Sequence, residues 1–292
     1  MSENSFSVAF HIGLHKTATS HLQKSLLAAK PAFADFGVRY LGPTDLRQPD
    51  RSVLECVLQA AVTPDPSQPT YDRLVLSEEN YIGVLNIPRQ KPLLKHYPKA
   101  ATRLTELAQA MGREIDVLLA IRRPTEFLNA TYCQQLMSGR VFPVASYRTL
   151  YPTNAVDWFD LVSRLRAAKG VGRLVVWCYE DYKTHFPAIC AALVGPAAAE
   201  VVKPLDKRVN SSLSAAAVAE LLHRDQMHDK GPITADARRL LAVEAGFPRF
   251  DAYTPAEHAA NDALYLAQVA AIGAMPGISL LEPLWATSRM RA

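Results

Sequence analysis

Between Val8 and Leu27 the chain reads VAFHIGLHKTATSHLQKSLL, and the middle of this stretch holds one glycine, one lysine and a run of hydroxyl residues. A strand, a tight turn and a helix start bring backbone N–H groups together on an anion. Gly13 to Ser20, with Lys16 at the centre, is therefore a candidate cradle for a phosphate or sulfate group. Two other strand-like runs end in polar clusters. Leu76 leads into Ser77, Glu78, Glu79 and Asn80, and Ile121 leads into Arg122, Arg123 and Pro124. A carboxylate in such a cluster can accept a proton, and a strand-end arginine pair suits the geometry of a phosphate. Plain structural uses stay open beside these. Thr17 or Thr19 could cap a helix, Arg122 and Arg123 could pair with acids such as Glu126, and the two glutamates could be an acidic helix start.

The elements that must position these residues follow from periodicity. Val8, Phe10 and Ile12 alternate as a strand does, and Leu22, Leu26 and Leu27 recur with helical spacing. Strand patterns over 7–12, 73–77, 114–121 and 173–179 are each followed by a helical pattern, over 20–29, 98–111, 124–137 and 185–193. This alternation predicts an α/β chain in three layers, a central and mostly parallel sheet flanked by helices. The runs around Val75, Val117–Leu119 and Val175–Val176 are almost continuously apolar, as strands covered on both faces require. The three polar clusters then share the carboxyl edge of the sheet, where ligands of open α/β folds bind. Beyond Asn210 only helical patterns are read, over 214–223, 234–246 and 255–274, so 210–292 is expected as a mainly helical C-terminal layer of a single domain spanning 1–292. Residues 43–50 and 64–70 read as proline-rich connections. Residues 139–153 read as an irregular stretch whose Arg140, Phe142, Tyr147 and Tyr151 could line a pocket mouth.

Composition narrows the function. A net charge of +4 over 292 residues is too small for the basic stripe of a nucleic-acid binder and suits a small anionic ligand. No apolar run approaches the ~20 residues that span a bilayer, and residues 1–7 lack the pattern of a signal peptide. The expectation is a soluble, cytoplasmic protein whose four cysteines stay reduced and mostly buried, with no nucleic-acid or membrane partner and an oligomeric state left open. Lys91, Lys95, His96 and Lys99 form a basic run, readable as a solvated helix face or as a meeting point for an anionic acceptor.

The loop is not a Walker motif, which needs a glycine directly before its lysine, where His15 stands here. HIGLHKTATSHLQ instead resembles the 5′-phosphosulfate loop of the sulfotransferases that use 3′-phosphoadenosine 5′-phosphosulfate (PAPS), above all the bacterial members, with Ala18 at the place of a family glycine. VLLAIRRPTEFLNATYCQQ resembles that family's 3′-phosphate motif, with Arg122 at the arginine and Ala130 at the serine, Thr131 beside it. RLVLSEENY resembles a strand followed by S-x-E, which puts Glu79 at the place of a catalytic base. KPLDKRVNSSLS resembles a loop that closes over the nucleotide and puts Lys207 and Arg208 near the 3′-phosphate.

The resemblance implies a fold like that of P-loop NTPases and transfer of a sulfuryl group from PAPS to a hydroxyl or amine of a small-molecule or glycan acceptor. It implies Lys16 and Glu79 as catalytic residues, and Gly13, His15, Lys16, Thr17, Ala18, Thr19, Ser20, Arg122, Thr131 and Arg208 as the cofactor-binding set, with His15 and His21 as rivals for the base. The donor is an activated anhydride, so no metal is implied. Two alternatives stand beside it. One is a nucleotide-binding pseudoenzyme, suggested by Ala18 and Ala130. The other is a small-molecule kinase with a divergent phosphate loop, for which Glu180 and Asp181 would be the acidic strand end.

Overall fold

The computed structural model describes residues 6–62, 70–85, 89–206, 212–226 and 239–285. Six strands form one sheet: β1 (Ser7–His11), β2 (Val38–Leu41), β3 (Arg73–Ser77), β4 (Ile115–Ile121), β5 (Val171–Cys178) and β6 (Ile278–Leu280). Their order is β2-β3-β1-β4-β5-β6, and every neighbouring pair is parallel. Period-two alternation sends successive side chains to opposite faces. Phe10, Leu76, Val117, Leu119 and Val176 join one core, and Ala9, Val75, Leu118, Val175 and Trp177 join the other. Helices α1 (Thr19–Ala29) and α8 (Tyr182–Val194) cover the second face with Leu22, Leu26, Phe186 and Ile189. The first face lies under α4 (Ala100–Met111), α5 (Pro124–Met137) and α7 (Trp158–Arg166), through Leu104, Phe127 and Trp158. This is the expected three-layer α/β architecture, and its sheet is parallel throughout.

Strand β1 lies between β3 and β4, so the chain turns back on itself there and a crevice opens at its carboxyl end. Helix α5 starts with Pro124 at a first-turn position that needs no N–H. The 19-residue helix α11 (Pro255–Gly273) starts at a capping box. Thr254 Oγ1 accepts from the Glu257 N–H, and the Glu257 carboxylate accepts from the Thr254 N–H. It packs on α5 and α7, with Tyr265, Val269 and Ile272 in the same core as β4.

The structure corrects several expectations. The C-terminal region is not only helical, because β6 adds an edge strand; of the helix expected over 234–246, residues 239–240 are helical, 243–245 form a single 3₁₀ turn, and 234–238 lie outside the described residues. Residues 43–50 contain the short helix α2 (Pro43–Leu46), and α3 (Val53–Val62) follows. Residues 144–150 form α6, and Tyr147 and Tyr151 are buried core residues rather than a pocket mouth. Lys91, Lys95 and Lys99 are exposed, but His96 is buried and the run is not helical. All four cysteines are free and buried, as expected.

Candidate active site at the carboxyl edge of the sheet

The loop after β1 is built on its own backbone. Leu14 O accepts from Thr17 Oγ1 at 2.5 Å and from Thr19 Oγ1 at 2.8 Å, so both hydroxyls brace the loop from within. Ala18 is the N-cap of α1, with φ 63°, and no side chain caps the helix. A glycine there would suit this left-handed conformation. Ala18 therefore sits at a strained position. Uncapped first-turn N–H groups, with Lys16 two residues upstream and the half-buried Ser20 beside them, favour an anion at this helix end.

Glycine is required at position 13. Its φ is 103°, and a Cβ there would lie 2.9 Å from Glu79 Cβ. The close approach of Gly13 sets the β3 turn, and Glu79 with it, against the anion loop. Glu79 Oε2 accepts from Gln23 Nε2 of α1 at 2.9 Å, and Oε1 from Arg47 Nη2 at 2.9 Å. Burial alone would push the Glu79 carboxyl up. Hydrogen bonds from its own backbone N–H and from Gln23, with the charge of Arg47, outweigh this and hold it below the ordinary carboxylate range.

Both rival histidines are committed. His15 Nε2 donates to Asn80 Oδ1 at 3.1 Å and Nδ1 accepts from Tyr97 Oη at 3.0 Å, while burial lowers its pKa and keeps it neutral. His21 Nε2 donates to Leu205 O at 3.0 Å and Nδ1 accepts from Tyr182 Oη at 2.7 Å. Neither ring offers a free nitrogen to an incoming hydroxyl.

On the other side of β1, Arg122 Nη1 donates to Lys16 O at 2.7 Å and its guanidinium lies 4.4 Å from the Tyr179 ring centre. Arg122 is nearly buried, yet its Nε has no hydrogen-bond partner among the described residues. Burial lowers its pKa, but a guanidinium stays charged. Glu126 Oε2 faces both Arg122 Nη2 at 3.3 Å and Arg249 Nη2 at 3.2 Å. Arg123 turns away from the crevice: its Nε and Nη2 meet Asp262 of α11, each at 2.6 Å. Its backbone N–H donates to Glu180 Oε1, whose other oxygen accepts from Tyr265 Oη.

The structure thus brings Gly13 to Ser20, Glu79 and Arg122 to neighbouring strand ends, β3, β1 and β4. Thr131 is not among them. Its hydroxyl donates to Leu128 O at 3.0 Å and is bonded to Tyr147 Oη at 2.5 Å, within the protein's core. Lys207 and Arg208 lie outside the described residues. Sequence reasoning missed Arg47, Gln23 and Arg249. Gln23 closes the quoted loop motif but carried no assigned role, whereas Arg47 and Arg249 reach the site from segments without a motif.

No protein-family model matches the chain, and no curated protein matches it. Among solved structures, the crystal structure of a sulfotransferase from Alicyclobacillus acidocaldarius is similar at 15% identity and a TM-score of 0.41, covering 81% of this chain and 96% of that one.

Proposed function

We propose that the chain is a sulfotransferase that moves a sulfuryl group from PAPS to a hydroxyl or amine of a small-molecule or glycan acceptor. One arrangement carries the reading. A carboxylate on β3 and a buried arginine on β4 flank an uncapped helix start on β1, and Arg122 is joined to the loop through Lys16 O at 2.7 Å. The residues fit a doubly phosphorylated nucleotide. The α1 start and Lys16 suit the 5′ end, and the unpartnered Nε of Arg122, with Arg249 near by, suits a second phosphate.

When bound, PAPS supplies an activated sulfuryl group on a good leaving phosphate. Glu79 takes the acceptor's proton as the acceptor oxygen or nitrogen bonds to sulfur. Lys16 and the α1 N–H groups then neutralise the charge that grows on the departing phosphate oxygen. Such transfer asks mainly for position and electrostatics, which this rigid edge provides. Of the two acids the kinase reading would use, Glu180 accepts from the Arg123 N–H and Tyr265 Oη, and Asp181 accepts from the Trp285 N–H through Oδ1, with Oδ2 unpartnered among the described residues.

The test uses the reaction product, 3′-phosphoadenosine 5′-phosphate. It should raise the melting temperature well beyond the effect of AMP at equal concentration, and Arg122→Ala should erase most of that difference. Equal shifts from the two nucleotides would remove the reading.

A further inference from the structure

Arg47 follows α2 directly, and its guanidinium reaches the β3 turn from outside. Nε donates to Glu78 Oε2 at 2.6 Å, and Nη2 donates to Glu78 Oε1 at 3.0 Å and to Glu79 Oε1 at 2.9 Å. Glu78 is fully buried, at 0% exposure, and also accepts from the Asn80 N–H at 2.8 Å. A buried carboxylate held by two guanidinium nitrogens leaves the arginine little freedom to turn. The shared Nη2 is thereby aimed at Glu79, while Gln23 holds the opposite oxygen.

The backbone under Arg47 is fixed as well. Its N–H donates to Pro43 O at 2.9 Å, Asp45 accepts from the Gly42 N–H at 2.9 Å, and Lys30, the residue that follows α1, pairs with Asp45 at 3.1 Å. Gly42 permits this fit, since a Cβ there would lie 2.7 Å from Tyr40 Oη. Helix α1 therefore holds Glu79 directly through Gln23, and the residue that follows it, Lys30, does so indirectly through Asp45 and Arg47.

We propose that Arg47 is a positioning residue for Glu79, using Glu78 as its buried anchor to hold the base carboxylate beside the anion loop. The role of Glu79 as base rests on the sulfotransferase reading; the Arg47 to Glu79 coupling does not. Glu79 faces Arg47 from the end of α2, Gln23 from α1, neutral His15 and Gly13 from the loop, and His11 from β1, whose pKa burial lowers to about 4. Glu78 adjoins it in the turn, and Tyr40 and Tyr97 complete the surroundings. Arg47 is the cation in that set. Without it, burial favours the protonated acid against only the hydrogen bonds from the Glu79 backbone N–H and Gln23.

Arg47→Gln strands a buried Glu78 and can fail to fold, so Arg47→Gln/Glu78→Gln is the companion variant, with Arg47→Lys as the conservative rescue. The Glu79 carboxyl is followed by ¹³C NMR titration of the full chain, assigned with Glu79→Gln. Its midpoint should move up by about 1–3 pH units in the double variant and mostly return in Arg47→Lys. The acid limb of the pH–rate profile for transfer from PAPS should move with it, with 3′-phosphoadenosine 5′-phosphate affinity unchanged. An unmoved midpoint overturns the proposal and makes Arg47 a clamp for Glu78 alone. A moved midpoint with an unmoved acid limb overturns Glu79 as the base, and with it that part of the sulfotransferase reading, while the coupling stands.

Discussion

The two flanks of β1 hold their charges in opposite ways. On the β4 side each arginine has partners of its own, and Arg122 has several. Arg122 has Lys16 O, Glu126 and the Tyr179 ring, while Arg123 has Asp262 and stands at the start of a helix locked by Glu180. On the β3 side two carboxylates share one guanidinium, which is 44% exposed, and their other contacts are the Gln23 amide and backbone N–H groups of the turn. A flank that only has to attract a polyanion tolerates the loss of one contact. A flank that must keep one carboxylate aimed and ionised does not.

The largest effect expected from this contrast is on the β3 side. Glu79→Gln keeps the shape and the approach to Gly13 but removes the proton acceptor. Turnover should fall by about 10²–10⁴, with 3′-phosphoadenosine 5′-phosphate affinity near that of the unaltered protein. Calorimetry and steady-state rates read the two halves separately. His15→Asn and His21→Asn are the comparison variants, and a greater loss of turnover in either would move the base to that histidine and dissolve the contrast.

A smaller effect is expected at the back of the β4 flank. Asp262 is 6% exposed and meets Arg123 through two 2.6 Å bonds, so Asp262→Ala leaves a largely buried guanidinium unpaired. Denaturant unfolding should show a loss of about 3 kcal/mol. Affinity for the nucleotide product should fall only several-fold, because Arg122 keeps its own partners. A collapse of binding equal to that of Arg122→Ala would mean that the β4 flank is not redundant and that α11 sets the arginine directly.

What was legible in the sequence follows the same division. The β1 loop, α5 and the turn after β3 are local: a glycine, a lysine, a proline at a helix start and a pair of glutamates lie within a few residues of the atoms they position. Helix α5 was bounded from Pro124 to Met137, as observed, because Pro124 marks its first turn. Arg47 carried no such mark. Its partners stand 31 and 32 residues further on, and the pairing exists only because β2 and β3 are neighbours in the sheet. Strands β2 and β6 span four and three residues, too short for a period to show. Helix α7 did carry a signal, Asp157 capping the Asp160 N–H at 2.9 Å, but tertiary burial of Trp158, Leu161 and Leu165 explains why it forms.

The smallest effect tests the loop between the two flanks. Ala18 holds φ 63° and ψ 17°, a conformation that costs a non-glycine residue about 1–2 kcal/mol. Ala18→Gly relieves that strain. Against it stand the methyl group, half-buried against the α1 and α8 core and worth roughly 0.4 kcal/mol at half of a buried CH₂, and about 0.4–1 kcal/mol of extra freedom in the unfolded chain. The balance runs from about −0.4 to about +1.2 kcal/mol with its middle in favour of glycine, read as a higher denaturation midpoint with an unchanged slope. Nucleotide affinity should change little, since the N–H groups of Thr19 and Ser20 keep their direction whichever residue precedes them. A destabilised Ala18→Gly would mean that the methyl group packs more tightly than the strain costs. The loop would then be shaped from the α1 side, as Glu79 is, and not by its own backbone.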